Sequence, residues 1–179
     1  LVPEASDGLY QAYLNGASSF NNEYQDEWLI SPYITPRPND ALIFDAAYSI
    51  FFMYFDHYGS EPDFSTPYNT LQTWIYTEET KEWIMIWDAS VGNYNEENIY
   101  DYYELKWEQM QFSLSEYQGQ KIRFAFRLYG VDAQSTSIDN IYIGVPKPKI
   151  AYELPEEFFF GGFNKDMISA LGTMQGPAY

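Results

Sequence analysis

The sequence predicts an all-β protein, a jelly-roll β-sandwich of two antiparallel sheets with a C-terminal extension. Short runs in which apolar and polar residues alternate are separated by turn residues roughly every 8–15 positions. Helix-like spacing is confined to residues 114–120 and 166–171. Aromatic residues, which favour strands, make up 20% of the chain. Together these observations favour a sandwich of about seven or eight strands.

The clearest strand lies at residues 121–128. Large apolar residues occupy every second position there, and mostly basic residues lie between them. Because side chains alternate between the two faces of a strand, one row is expected in the core and the other on the opposite face. The apolar row is Ile122, Phe124, Phe126 and Leu128, and the opposite row includes Lys121, Arg123 and Arg127.

Several other runs have the same character. The longest apolar run is residues 41–53, in which Leu42, Phe44 and Ala46 fall on one face of a strand. Residues 1–25 contain at most one strand. Further strands are expected at residues 71–77, 105–114 and 137–143.

The composition of two runs predicts whether each strand lies at the edge or in the centre of a sheet. Residues 27–34 contain Pro32, which cannot donate a ladder hydrogen bond, so an edge position or a strand end is expected. Residues 83–87 read WIMIW and are apolar on both faces, which favours a central strand with Trp83 and Trp87 in the core.

The chain is expected to divide into a sandwich domain, residues 1–145, and a remainder, residues 146–179. The remainder begins with a PKPK linker and continues as a C-terminal extension or as the start of a further domain. No signal peptide is visible, so the chain is expected to be a mature or excised fragment.

Charge narrows the function classes. The chain has 26 acidic and 9 basic residues, a formal net charge of -17. Such a surface repels phosphate backbones, which argues against nucleic-acid binding. The same excess of carboxylates favours binding of a divalent cation. There is no cysteine, and no apolar run has the roughly 20 residues that a membrane-spanning helix needs.

Catalytic patterns are scarce. His57 is the one histidine, and its Asp-His-Tyr context is typical of a solvated loop. The alternating acidic strand of jelly-roll glucanases is missing, as are phosphate loops and zinc motifs. We therefore expect a protein that binds rather than an enzyme.

Five segments in order carry a family resemblance: EWLISPYI, ALIFDA, LQTWIY, FSLSEYQGQKIRFAFRLYG and SIDNIYIG. Over residues 26–144 the chain resembles the cleaved-adhesin and choice-of-anchor J domains of Bacteroidetes surface proteins, which are related to the MAM domain. The resemblance implies a jelly roll exported to the cell surface, an adhesion or carbohydrate-binding role, and frequently structural calcium. The chain departs from the family where the usual Asp-Asp pair reads Asp139-Asn140.

Calcium prefers six to eight oxygen ligands, including carboxylates. With the resemblance and the acid excess, Asp139 is the leading candidate ligand, because a carboxylate inside an apolar strand needs a partner. Asp45 and Asp26 are its expected companions. The alternative is that Asp139 caps a loop and Asp45 faces solvent.

Aromatic side chains supply the candidate ligand-binding surface. Sugar rings present an apolar face that stacks on Trp and Tyr, while polar groups at the rim bind hydroxyls. Trp74 and Tyr76 share one face of their strand, and Tyr129 ends the strand that carries the basic row. Tyr100 and Tyr102 belong to a polar loop. The alternative is that such rings fill the core or pack against other domains.

The sequence therefore predicts a non-catalytic adhesion or carbohydrate-binding module of a secreted or surface protein, outside a bacterial cell. Its partner would be a glycan or a host or matrix protein, and neighbouring domains are expected in a larger chain. The alternatives are a structural spacer domain and an accessory domain of a secreted hydrolase.

Overall fold

The computed structural model describes residues 3–14, 24–55, 62, 64–131 and 135–146. These residues contain eight strands, one helical turn and two 3-10 turns. The strands are β1 (Ala12–Leu14), β2 (Gln25–Ile30), β3 (Ala41–Tyr48), β4 (Asn69–Thr77), β5 (Trp83–Asp88), β6 (Lys106–Ser113), β7 (Ile122–Gly130) and β8 (Thr136–Gly144). The helical turn is α1 (Phe51–Tyr54), and the 3-10 turns are Ile99–Tyr102 and Ser115–Tyr117.

The strands form two four-stranded antiparallel sheets. The first sheet has the order β1-β8-β3-β6, and the second has the order β2-β7-β4-β5. The first strand thus pairs with the eighth, the second with the seventh, the third with the sixth and the fourth with the fifth. This nesting is a long hairpin rolled up on itself, which confirms the predicted jelly roll.

The core lies between the two sheets and is built from the alternating rows predicted above. Phe44 on β3 and Phe126 on β7 are both 0% exposed and meet edge to face at 4.6 Å across the two layers. Ile122 and Leu128 are buried on the same face of β7. Each such side chain contributes about 1.5–3 kcal/mol by its removal from water.

The expected central position of residues 83–87 is wrong. β5 is an edge strand of the second sheet, and Ile84 and Met85 are each 44% exposed. Trp87 packs against the core as predicted, whereas Trp83 lies on the outer face of the sheet. A run that is apolar on both faces also arises when an aromatic layer covers the outer face, and that is the case here.

Local turns complete the description. α1 was not predicted, because it is a single turn and its N-cap residue, Ile50, makes no side-chain capping hydrogen bond. Within the described residues, none of the helices is long and apolar enough to cross a membrane.

The division into residues 1–145 and 146–179 remains a prediction, since most of the second range and the expected turn at 166–171 lie outside the described residues.

Candidate binding site

The outer face of the second sheet carries a layer of aromatic side chains. On β4, Trp74 and Tyr76 alternate with core residues and point outward, as does Trp83 opposite Tyr76 on β5. Trp28 on β2 and Tyr33 in the segment after it complete the layer, which we call the outer aromatic face. All five residues keep part of their surface accessible to solvent.

The rings of the outer aromatic face are in continuous contact. The centroid of Trp28 lies 5.7 Å from that of Trp74 and 5.4 Å from that of Trp83. Tyr76 continues the series at 5.4 Å from Trp83, and Tyr33 lies 6.4 Å from Tyr76. The layer therefore joins residues of the two edge strands, β2 and β5, across the whole sheet.

A small residue lies beneath the layer. Ala125 on β7 faces outward, since its neighbours Phe124 and Phe126 face the core, yet it is 0% exposed. Its paired neighbours in the sheet are Ile30 on β2 and Trp74 on β4. A larger side chain at this position would push the Trp74 ring away from the sheet. Ala125 therefore allows the Trp74 ring to pack closely against the sheet.

Hydrogen bonds hold two of the indoles in place. The Nε1 of Trp28 donates to Asp26 at 2.7 Å, and that of Trp74 donates to the Oε1 of Gln72 at 3.0 Å. Gln72 in turn donates to Asp88 at 2.8 Å. The rings are thus oriented before any ligand binds, which lowers the entropy cost of binding.

Asp26 belongs to this face through an ion pair. Both of its oxygens accept from the Arg127 guanidinium, at 2.7 and 2.9 Å. The hydrogen bond from Arg127 is the largest cause that holds the pKa of Asp26 below its usual range. The same guanidinium lies 4.9 Å above the Trp28 ring and 4.2 Å above the Tyr129 ring.

The ligand-binding residues predicted from the sequence fall into two places. Trp74, Tyr76 and Tyr129 lie on the outward side of the second sheet. Tyr100 and Tyr102 lie on the β5–β6 connection, where Tyr100 packs at 5.4 Å against Phe51 of α1. Tyr102 lines a separate pocket of about 140 Å³ together with Tyr48, Ile50, Tyr94, Asp101, Glu104, Lys106 and Glu108.

Sequence reasoning missed Trp28 and Tyr33 as members of the outer aromatic face and assigned Trp83 to the core. The position of Trp28 could have been predicted from the sequence. Residues 27–34 were expected at a sheet edge, where an outward side chain cannot reach the core. Trp83 could be placed only once β5 was known to be the opposite edge.

Two of the three predicted metal ligands meet on the first sheet. Asp45 on β3 and Asp139 on β8 are paired neighbours, whereas Asp26 lies on the second sheet. The hydroxyl of Ser6 lies 2.8 Å from Asp45 Oδ2 and 3.2 Å from Asp139 Oδ2. Since one hydroxyl has one proton, it can satisfy only one of these two oxygens.

A β-bulge brings the two carboxylates together. The register between β3 and β8 shifts between Ile43 and Asp45, and Asn140 has a positive φ of 49°. Asn tolerates this left-handed conformation better than most residues, and bulges commonly redirect a side chain. Asn140 also donates to Asp45 from its side-chain amide at 3.2 Å.

Hydrogen bonds set the ionisation of Asp139. Partial burial acts to raise the pKa, but hydrogen bonds from the backbone amides of Asp7 and Asn140 and from Ser6 outweigh it. The pKa of Asp139 is therefore below its usual range. Asp139 is charged at neutral pH, directly beside Asp45.

The donor set at this place suits a hard cation such as calcium. The two carboxylates, the Ser6 hydroxyl and the Asn140 amide are all oxygen sources, the amide oxygen after a flip of its side chain. Among the described residues no group of three or more His, Asp or Glu side chains converges. A calcium ion between Asp45 and Asp139 would therefore need backbone oxygens or water as additional ligands.

Comparisons with known proteins add a likeness in fold. No family model matches the sequence, and no curated protein matches it. Among solved structures, the chain is similar to a cleaved adhesin domain of Lys-gingipain from Porphyromonas gingivalis, with 14% identity, a TM-score of 0.42, and coverage of 76% of this chain and 71% of that chain. That domain bears the name of the family that the ordered sequence segments resemble. A likeness at this level assigns neither a ligand nor an activity.

Proposed function

We propose that this chain is a non-catalytic, extracellular module that binds a glycan on the outer aromatic face. One observation carries the proposal: three Trp and two Tyr rings form a continuous, partly exposed layer outside the hydrophobic core. The core between the sheets is filled without them. Burying these rings is thus not a requirement of the sandwich itself.

The chemistry of the face matches a sugar ring. The C–H face of a sugar is apolar and stacks on indole and phenol rings, and each Å² of apolar surface removed from water contributes about 25 cal/mol. Asp26 lies at the edge of the face with its side chain 48% exposed, so its carboxylate oxygens can accept further hydrogen bonds from the hydroxyl groups of a glycan. Gln72 and Asp88 act beneath the face, where they orient the Trp74 ring.

The adhesion role and the extracellular location belong to the same proposal. A glycan carried by a host or matrix protein would join the module to that protein, with neighbouring domains supplying further contacts. The resemblance to cleaved adhesin domains supports this role. Calcium between Asp45 and Asp139 would stiffen the first sheet, on the side of the sandwich opposite the binding face.

A glycan array followed by affinity electrophoresis tests the proposal. The wild type should be retained by at least one glycan, and Trp74→Ala should weaken that retention about tenfold, since one stacking contact is lost. Trp107→Ala is the matched control, because Trp107 lies on β6 of the first sheet and donates to the Glu4 carbonyl at 2.8 Å. It should bind like the wild type.

Two results would overturn the proposal. The first is a folded wild type that no glycan retains, as expected for a structural spacer domain. The second is an equal loss of binding in Trp74→Ala and Trp107→Ala, which would show that the face is not the binding site.

A further inference from the structure

We propose that the outer aromatic face selects glycans that carry an acidic group, a carboxylate or a sulfate, and that Arg123 with Lys121 forms the subsite for it. The inference rests on the proposed function and names the ligand class. It is carried by a contrast between Arg123 and Arg127, which lie four residues apart on the outward side of β7.

The two arginines have opposite surroundings. The charge of Arg127 is neutralised, because its guanidinium donates hydrogen bonds to both oxygens of Asp26. Arg123 forms no ion pair with any residue of the described ranges, and its buried Nε has no hydrogen-bond partner there. A chain with 26 acidic residues could readily supply a carboxylate to Arg123. None of the described residues does so.

Arg123 is held in place by a ring instead of an anion. Its guanidinium carbon lies 4.0 Å from the centroid of Tyr33, and Lys121 Nζ lies 4.3 Å from the same centroid. The nearby carboxylate of Glu78 is occupied, since it accepts from the Tyr33 hydroxyl at 2.7 Å and pairs with Lys81. Two cations therefore converge on one ring, and neither forms an ion pair with a described residue.

Such a pair suits an anionic oxygen group next to a sugar ring. A guanidinium binds a carboxylate or sulfate with two parallel N–H···O bonds, and a lysine ammonium adds a compact charge. Arg123 pairs with Tyr76 in the sheet, and Tyr76 contacts Trp83, so the acidic subsite adjoins the stacking surface. The net charge of -17 does not prevent this contact, because salt screens charges beyond about 8 Å at physiological ionic strength.

The test compares each acidic glycan with its neutral counterpart. One arm uses uronic- or sialic-acid glycans against their methyl esters, and a second uses sulfated against desulfated glycans, which separates the two acidic groups. The wild type should prefer the acidic form about tenfold or more. Arg123→Gln should abolish this preference and leave the affinity for the neutral form unchanged, and Arg123→Lys should restore part of the preference.

Arg37→Gln is the matched control, because it removes the same charge from a residue that lies in a loop and pairs with Asp40. It should keep the acidic preference. Equal binding of acidic and neutral glycans by the wild type, or an unchanged preference in Arg123→Gln, would overturn the inference and leave the proposed function standing. Retention of no glycan would instead overturn the proposed function. If Arg123→Gln does not fold, the comparison of acidic glycans with their methyl esters on the wild type still tests whether the face prefers acidic glycans.

Discussion

Gly130 provides the sharpest test of the packing described above. It ends β7 with a φ of 129°, a conformation that L side chains rarely adopt, and it pairs with Gln25 on one side and Asn69 on the other. A Cβ placed there would lie 2.2 Å from the Tyr68 carbonyl oxygen and 2.4 Å from the Asn69 Cα. Both are backbone atoms, so the strand itself would have to move.

The cost of Gly130→Ala can be worked out from these contacts. The strained dihedral contributes about 1–3 kcal/mol. Moving the Tyr68 backbone would also weaken its hydrogen bonds to Val131, at 2.8 Å, and to Met53, at 2.7 Å, each worth about 1 kcal/mol. The sum is about 3–5 kcal/mol, a large part of the 5–15 kcal/mol that is typical of a domain.

Gly119→Ala is the matched control. Gly119 also has a positive φ, 74°, but a Cβ there would meet nothing within 4 Å. The expected cost is about 1 kcal/mol, from the left-handed conformation alone. Urea unfolding followed by tryptophan fluorescence measures both free energies. Equal losses in the two variants would refute the argument that backbone crowding at Gly130 determines its cost.

Two further predictions concern carboxylates. Adding calcium to EDTA-treated protein should raise the melting temperature by about 5–10 °C at a hundredfold excess over Kd, and Asp45→Asn should remove that rise; identical melting with calcium and EDTA contradicts the metal proposal. Burial acts to raise the pKa of Asp88, but hydrogen bonds from Ser90, Thr70 and Gln72 outweigh it and lower that pKa. Asp88 should therefore stabilise the fold above pH of about 3.9, and this contribution should fade as the pH falls through the folded-state pKa. In urea titrations, Asp88→Asn should cost about 1–2 kcal/mol at pH 7 and less near pH 2; the same cost at both pH values would contradict the assignment.

The strands that the sequence predicted well are those whose surroundings differ between their two faces. On β7, Phe124 and Phe126 enter the core while Arg123 and Arg127 point outward. The alternation of apolar and polar residues is therefore visible in the sequence. β5 lacks this contrast, because Trp83 joins an aromatic layer outside the core. Its edge position depends on which strands pair, and that information is not local.

The candidate sites show the same limit. Trp74 and Tyr76 could be grouped from their spacing on one strand, but their contacts with Trp28 and Tyr33 depend on the order of the strands. The pairing of Asp45 with Asp139 depends on a bulge. A residue at a left-handed φ inside a strand is visible only in the folded chain.

The pairing of the first strand with the last has a mechanical consequence. Because β1 and β8 are antiparallel neighbours, the chain enters and leaves the sandwich at the same end. Tension applied through both ends would separate their hydrogen bonds one after another, and β1 is only 3 residues long. The contacts of Ser6 and Asp7 with Asp45 and Asp139 lie ahead of β1 and would bear that load first. Under such tension the segment before β1 would therefore detach from Asp45 and Asp139 before β1 separates from β8.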